Sequence, residues 1–461
     1  MTDQRNPVSP GRTPAAKFLW TLLIGALLAV PLFSVYLLVY DRQSQSETAR
    51  ASIAAGWGGP QTLAGPFLVI PYRDEATETV EVGGRPATRS VTVWRELVLA
   101  PDRIAMATRL RPERRQRAIY EAVLFEADHR GEAVFALPGD LGRLGILPDR
   151  LVLDRAELRF GLSDARGLNG PPPHVSAGGR RLPLQPGKGP AATGGSGFFA
   201  ALDATALRGG PLAAAFSFGF RGNGWLQLAP HAGDTGWTIE SPWPHPSFQG
   251  GFLPAQREVA ADGFRARYRL GNLALGKTLA EVRDPDGGAA RAEPVVEAAG
   301  DGLARIALVE PADLYSRVNR AVKYGFLFIG FTFLAFLMFD VIGGVTISAV
   351  EYLLVGAGLV LFFVLLLALA EVLGFAPAYL LASAAIIGEI GAYSAAVLRS
   401  ARRAVLISGL LAGLYATLYI LLSLEAYSLL IGAALLFVAL GAVMFATRRV
   451  DWTGRGSRLA G

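Results

Sequence analysis

No cysteine occurs in this chain, which removes disulfides, thiolate zinc sites, iron–sulfur clusters and thiol nucleophiles in one step. A domain exported to an oxidising compartment would therefore be held together by packing alone. Histidine is nearly as scarce: His129, His174, His231 and His245 lie far apart, and none sits in a His-Glu-x-x-His or similar metal-binding spacing. Ser247 lies close to His245, but no Gly-x-Ser-x-Gly elbow or placed acid accompanies the two, so they make no nucleophile pair. Charge is sparse in one run near the N-terminus and again through most of the chain beyond residue 324. These absences point to a protein that is not an enzyme and carries no cofactor or metal.

Long apolar runs are what the chain does have. About 20 apolar residues at ~1.5 Å each cross the ~30 Å hydrocarbon core of a bilayer. Six runs reach that length, at 18–40, 324–342, 352–370, 377–398, 404–424 and 427–446. The first exceeds the roughly 7–15 apolar residues of a cleavable signal peptide. It is therefore read as a retained anchor, despite the small-x-small pair at Ala49 and Ala51.

Basic residues orient these spans. Arg5, Arg12 and Lys17 precede the first; Arg399, Arg402 and Arg403 occupy one short loop; Arg448, Arg449, Arg455 and Arg458 follow the last. The loops that alternate with these carry Glu371 and Glu425 and neither lysine nor arginine. The positive-inside rule then predicts both termini in the cytoplasm. The organisation that follows is a cytoplasmic tail (1–17), a transmembrane helix (18–40), a periplasmic domain (41–322), a five-helix transmembrane bundle (323–446) and a cytoplasmic tail (447–461). The net charge of +6 is largely this topology signal, so the expected partner is the lipid bilayer, with no nucleic acid.

Between the first two spans the pattern changes to short runs of period-two alternation, at 67–72, 91–99, 104–110, 118–125, 157–162, 213–220, 264–270 and 303–309. Glycine and proline punctuate them. The fold class predicted is an α+β membrane protein, with six transmembrane helices and an exported β-rich, sandwich-like antiparallel domain between the first two. The proline-rich stretch 167–197 reads as a long loop or linker. From Pro311 the spacing of Leu314, Val318 and Ala321 is helical and leads into the second span.

Four features invite a chemical reading. Gly271 to Thr278 (GNLALGKT) matches the phosphate-binding loop literally, but the preceding run alternates with arginine like a half-exposed strand. The ~45 residues left before the next span hold no parallel-sheet nucleotide domain, so no nucleotide partner is expected. Ser241 to Phe248 (SPWPHPSF) is an extended, proline-stiffened segment that offers Trp243, His245 and Phe248 as a recognition ridge, or as a rigid edge segment pinned to its domain. Glu389 lies about two-thirds of the way along the fourth span, where an acid is a candidate for proton or ion handling unless a hydroxyl such as Ser383 or Ser394 satisfies it. Asp340, near the inner end of the second span, can reach the interface.

Taken together, several segments resemble the CreD family of bacterial inner-membrane proteins. They are Gly56 to Tyr72 (GWGGPQTLAGPFLVIPY), Trp243 to Phe248 continuing through Phe252 to Val259 (FLPAQREV), the junction from Leu314 to Asp340, Glu351 to Gly356 (EYLLVG) and Thr447 to Trp452 (TRRVDW). They occur in order over most of the chain, while residues 127–240 resemble the family loosely and Asp340 stands where the family has Glu. The resemblance implies an inner-membrane protein linked to cell-envelope integrity and envelope stress; beside it, the residues point to a non-enzymatic protein whose periplasmic domain binds a protein or envelope component. It carries over no catalytic residues. The alternative is a transporter or channel that uses Glu389.

Overall fold

The computed structural model describes residues 14–82, 85–117, 119–284, 302–308, 314–341, 347–398, 400–423 and 428–448. Residues 1–13 and 449–461 of the expected tails, and Glu425, lie outside the described residues. The chain divides into two compact units, one of residues 1–47 and 312–461, the other of residues 48–311.

The first unit is helical. Its members are α1 (Pro14–Ala55, of which residues 48–55 count with the other unit), α3 (Leu314–Val341), α4 (Ala349–Leu373), α5 (Phe375–Leu398), α6 (Ala401–Ser423) and α7 (Ser428–Thr447); the label α2 belongs to a single turn, Asn272–Leu275, in the other unit. Among the described residues five helices, α1 and α3 to α6, are long and apolar enough to cross a membrane. The sixth expected span is matched by the 20-residue helix α7. The largest difference is at α1, which continues to Ala55 instead of stopping near residue 40. Hydropathy marks where a span leaves lipid; the following Asp41 to Ala55 stretch is polar yet contains no helix breaker, so the backbone ladder runs on.

Apolar faces of α1 and α3 to α6 share one core that includes Leu28, Val318, Phe333, Phe362, Phe363, Tyr379, Ile386, Leu411 and Tyr415. α1 and α4 meet closely, since a Cβ at Gly356 would collide with Leu28. Ser348 caps α4: its hydroxyl accepts from the Glu351 amide at 3.3 Å, and the Glu351 carboxylate accepts from the Ser348 amide at 2.7 Å. Glu351 is thereby a capping-box residue that closes two otherwise orphaned donors.

The second unit is two β-sheets around a common core. One sheet runs Pro246–Gly250, Ala304–Leu308, Trp225–Ala229, Gln61–Val82, Ala156–Leu162, Gly197–Leu202, Gln185–Pro186, with Arg85–Leu99 folded back along Gln61–Val82 and Ala280–Arg283 beyond it. The other runs Gln256–Ala260, Gly263–Gly271, Asp234–Ser241, Arg103–Arg117, Tyr120–Phe135, Leu212–Asn223, His174–Ala177, Arg180–Arg181. Leu68, Ile70, Leu158 and Phe160 of the first sheet and Met106, Phe125, Phe216 and Trp237 of the second belong to one buried cluster. Each of the eight alternating runs falls largely within an observed strand.

Two findings depart from the sequence reading. The sheets are antiparallel except for two parallel pairings, Gln61–Val82 with Trp225–Ala229 and Arg103–Arg117 with Asp234–Ser241. The 167–197 segment is also no plain linker: His174–Ala177 extends the second sheet and Gln185–Pro186 the first. Strands of two to four residues at a sheet edge leave no hydrophobic period to read, and here only Val175 and Ala177 are buried.

The Gly56 to Tyr72 segment explains itself at this level. Trp57 is held between two guanidinium groups, Arg115 at 3.8 Å and Arg221 at 3.9 Å from its ring centre, and its indole N–H donates to the Phe125 carbonyl at 3.3 Å. Gly58 adopts a φ of +133°, with the Arg221 carbonyl 3.0 Å from where a Cβ would stand. Gln61, fully buried, donates to the carbonyls of Arg221 (2.7 Å) and Asp164 (3.2 Å) and accepts from the Asp164 amide (3.2 Å). These contacts fix the start of the Gln61–Val82 strand between the two sheets.

Candidate functional site

The residues singled out in the sequence do not converge. Trp243 is buried, 6% exposed, with the Arg114 guanidinium 5.3 Å from its ring, and so is part of the core. Phe248 is half-buried and packs edge-to-face on Phe264 at 5.8 Å, while His245 is exposed. Their segment leads into an edge strand paired to Ala304–Leu308. Glu389 lies on the outward side of α5, on a face it shares with Ala385, Gly388 and Ala392. The Ser383 hydroxyl donates to the Tyr379 carbonyl at 2.7 Å and Ser394 is buried on another face, so neither satisfies Glu389. Asp340 lies in the last turn of α3, but its side chain is outside the described residues.

The phosphate-loop match begins at the last residue of an antiparallel strand and runs through the single turn α2, with Gly276 left-handed and the Lys277 ammonium beside the Pro230 carbonyl (3.4 Å) and His231 Nε2 (3.3 Å). A four-residue turn offers no row of helical amides for phosphate. Burial first, then the Lys277 charge, pushes the His231 imidazole down to about 4.

A site that sequence reasoning missed lies on the outer face of the second sheet. Alternation turns Ile104, Met106, Thr108 and Leu110 into the core and leaves Arg103, Ala105, Ala107, Arg109 and Arg111 facing out; Arg265, Arg267 and Arg269 face out likewise. Strand register sets these residues in rows. One row runs Arg265, Glu240, Arg109, Asp128, Gly219, and the next Arg267, Thr238, Ala107, Arg130, Ser217.

In the first row charges pair off. Arg109 (2.6 Å) and Arg265 (3.1 Å) both bind the Glu240 carboxylate, and Arg111 binds Asp128 at 2.6 Å. Hydrogen bonds from Arg109 and then Arg265 hold the Glu240 carboxyl below its usual range. In the second row the side chains of Arg130 and Arg267 have no carboxylate or hydrogen-bonding partner among the described residues. Small side chains separate them, so the face dips into a groove of about 570 Å³, with Pro171 and Pro172 contributing to its wall. A second hollow of about 540 Å³ adjoins it and shares Arg109, Glu240 and Arg265.

Beneath the groove the second sheet is rigid. The Trp237 indole donates to Thr108 Oγ1 at 2.9 Å, and Thr108 Oγ1 lies 2.8 Å from His129 Nδ1. Burial pushes the His129 imidazole down to about 3, so it stays neutral in ordinary conditions. On the outer face of the other sheet a different network is self-contained: Arg159 binds Glu96 at 2.6 Å and Glu157 at 2.8 Å, and Lys188 also reaches Glu157. Burial raises the Glu157 carboxyl, but hydrogen bonds from Lys188 and Arg159 outweigh it and leave it lowered. The contrast singles out the arginine groove, where the Arg130 and Arg267 side chains have no paired carboxylate among the described residues.

Comparison with known proteins agrees with the resemblance carried by the sequence segments. The family profile described as "Inner membrane protein CreD" matches residues 13–453. The inner membrane protein CreD of Escherichia coli (strain K12) is 32% identical over 440 residues, covering 94% of this chain and 92% of that protein. With a helical unit of membrane-spanning length joined to a two-sheet β-unit, and a match over nearly its whole length, the chain belongs to the CreD family of inner-membrane proteins.

Proposed function

We propose that this protein supports cell-envelope integrity by binding, not by catalysis, through its β-unit. In this reading both termini lie in the cytoplasm and the β-unit lies in the periplasm, where it meets a protein or an envelope component. The distribution of Arg399, Arg402, Arg403 and Arg448 against Glu371 supports the orientation. The groove around Arg130 and Arg267 carries the functional reading, because cations with no paired carboxylate beside a concavity of ligand size favour recognition.

The test is complementation of a deletion strain that shows envelope defects. The full chain and Glu389→Gln are expected to restore it, and a double charge reversal, Arg130→Glu with Arg267→Glu, is expected to fail. Restoration by the double reversal together with failure of Glu389→Gln would replace this function with the transporter or channel reading. Glu389 favours that second reading only by its depth in the span, since acids lining a pathway face a bundle interior and this one faces outward. A phosphatase reporter inserted near Gly187 tests the orientation and is expected to be active.

A further inference from the structure

We infer that the groove on the second sheet binds an acidic oligosaccharide, a sugar chain bearing carboxylate or phosphate groups. This deepens the reading of the β-unit as an envelope-facing binding module and rests on it.

Four arginines line the main hollow, Arg109, Arg130, Arg265 and Arg267, against two carboxylates, Asp128 and Glu240. Arg130 and Arg267 stand in one register row with Ala107 and Thr238 between them. At ~4.8 Å per strand their backbones are about 14 Å apart. A lone phosphate cannot bridge two exposed guanidinium groups on that spacing without drawing both inward. A ligand with separated anionic groups meets each where it stands, and planar guanidinium forks suit carboxylate and phosphate alike.

The rest of the lining selects the frame that carries those charges. Asp128 and Glu240 accept hydrogen bonds, and Thr238 and Ser217 both donate and accept. Ring hydroxyls of a sugar match that mixture. The large apolar residues of the lining are unavailable: Leu110, Phe218 and Phe264 belong to the core at 0%, 6% and 5% exposure, which leaves only small apolar groups such as Ala107, Pro171 and Pro172 at the surface. That excludes lipid tails and stacked nucleobases as the recognised part. Each hollow already has the ~300–1,000 Å³ of a small-ligand site, and the two share Arg109, Glu240 and Arg265; the second adds Arg111 against Glu258 and Asp262, so it offers partners to sugar hydroxyls while the first meets the anionic groups, and the pair suits an oligomer better than a single ring.

The experiment titrates the purified full-length protein in detergent micelles with four probes: hexagalacturonate, a heparin-derived sulfated hexasaccharide, neutral maltohexaose and a polyglutamate peptide. Saturable binding of hexagalacturonate or of the sulfated probe is expected; because the sulfated probe carries carboxylates as well as ester anions, its tighter binding would mark an added contribution from the ester anions. Maltohexaose should not bind. Arg130→Ala with Arg267→Ala should weaken the acidic sugar at least tenfold, and a control pair at the sheet edge, Arg180→Ala with Arg181→Ala, should stay within twofold. Both pairs are exposed, so neither variant disturbs the core. No saturable binding of either acidic sugar, or unchanged affinity in the Arg130 and Arg267 variant, overturns the ligand class. Tighter binding of polyglutamate than of both acidic sugars overturns it in favour of an acidic protein segment. A failure here leaves the envelope role standing, since that role falls only with the complementation result.

Discussion

Thr108 Oγ1 and His129 Nδ1 lie 2.8 Å apart inside the second sheet, with the Trp237 indole donating to the same hydroxyl. The hydroxyl that accepts from Trp237 keeps its own proton for Nδ1, which suits a neutral imidazole. His129 is 4% exposed and packs on Phe216 and Phe218 at 5.5 and 5.1 Å, so a charge there has no compensation.

Acid stability follows from that pair. The folded value for His129, about 3, is below its unfolded value, so the unfolded chain binds the proton first as pH falls. Stability is full above pH ~6.5 and is lost as pH drops toward the folded value, at about 1.4 kcal/mol per pH unit for one proton. Between pH 6.5 and 5 His129 alone should cost the β-unit about 2 kcal/mol. His129→Gln should be less stable at neutral pH but show a flatter pH slope in urea unfolding followed by tryptophan fluorescence. An equal slope in both proteins would refute the assignment.

Gln61 is a buried side chain on which three backbone groups depend. Replacing it by leucine leaves the carbonyls of Arg221 and Asp164 and the Asp164 amide without their partner. The expected cost is about 2–4 kcal/mol. A urea midpoint unchanged from the parent would show that water replaces the side chain.

Trp57 depends on its two flanking guanidinium groups. Trp57→Leu removes both cation–π contacts and the hydrogen bond to the Phe125 carbonyl, a loss of about 2 kcal/mol. Trp57→Phe keeps an aromatic face and should recover part of it. The comparison of the two unfolding midpoints checks this, and identical midpoints would argue for simple apolar packing.

Arg159 compensates two half-buried carboxylates, and its own side chain is 18% exposed. Arg159→Met should cost about 2–3 kcal/mol at neutral pH, discounted for the water that still reaches the site. Adding Glu96→Gln and Glu157→Gln should return most of it. If the triple variant is no better than the single one, the loss came from packing of the arginine stem.

The membrane half was legible from the chain because a span needs length and apolarity, and both are written locally. The helix limits agree with the sequence reading within a few residues at α5, α6 and α7. They differ at α1, where lipid exit and helix end are separate physical events. The alternating runs announced strands for the same local reason. Short edge strands such as Gln185–Pro186 carry too few residues for a period.

The candidate site was not legible, and Arg130 and Arg267 explain why. Each reads in sequence as one more exposed arginine on an alternating strand; nothing local states that they share a row. Trp243 shows the same limit, since a tryptophan among prolines reads equally as a displayed ridge or as part of a pinned edge segment, and its burial depends on residues far away in the chain.

Composition, hydropathy and motif order by themselves determined the class of protein, its spans and its CreD kinship, because those properties add up residue by residue along the chain. Only the tertiary structure decided which charges pair and which stay free. Register across four strands brings Glu240 to Arg109 and Arg265 but sets Ala107 and Thr238 between Arg130 and Arg267, and that pairing exists only once the sheet has formed.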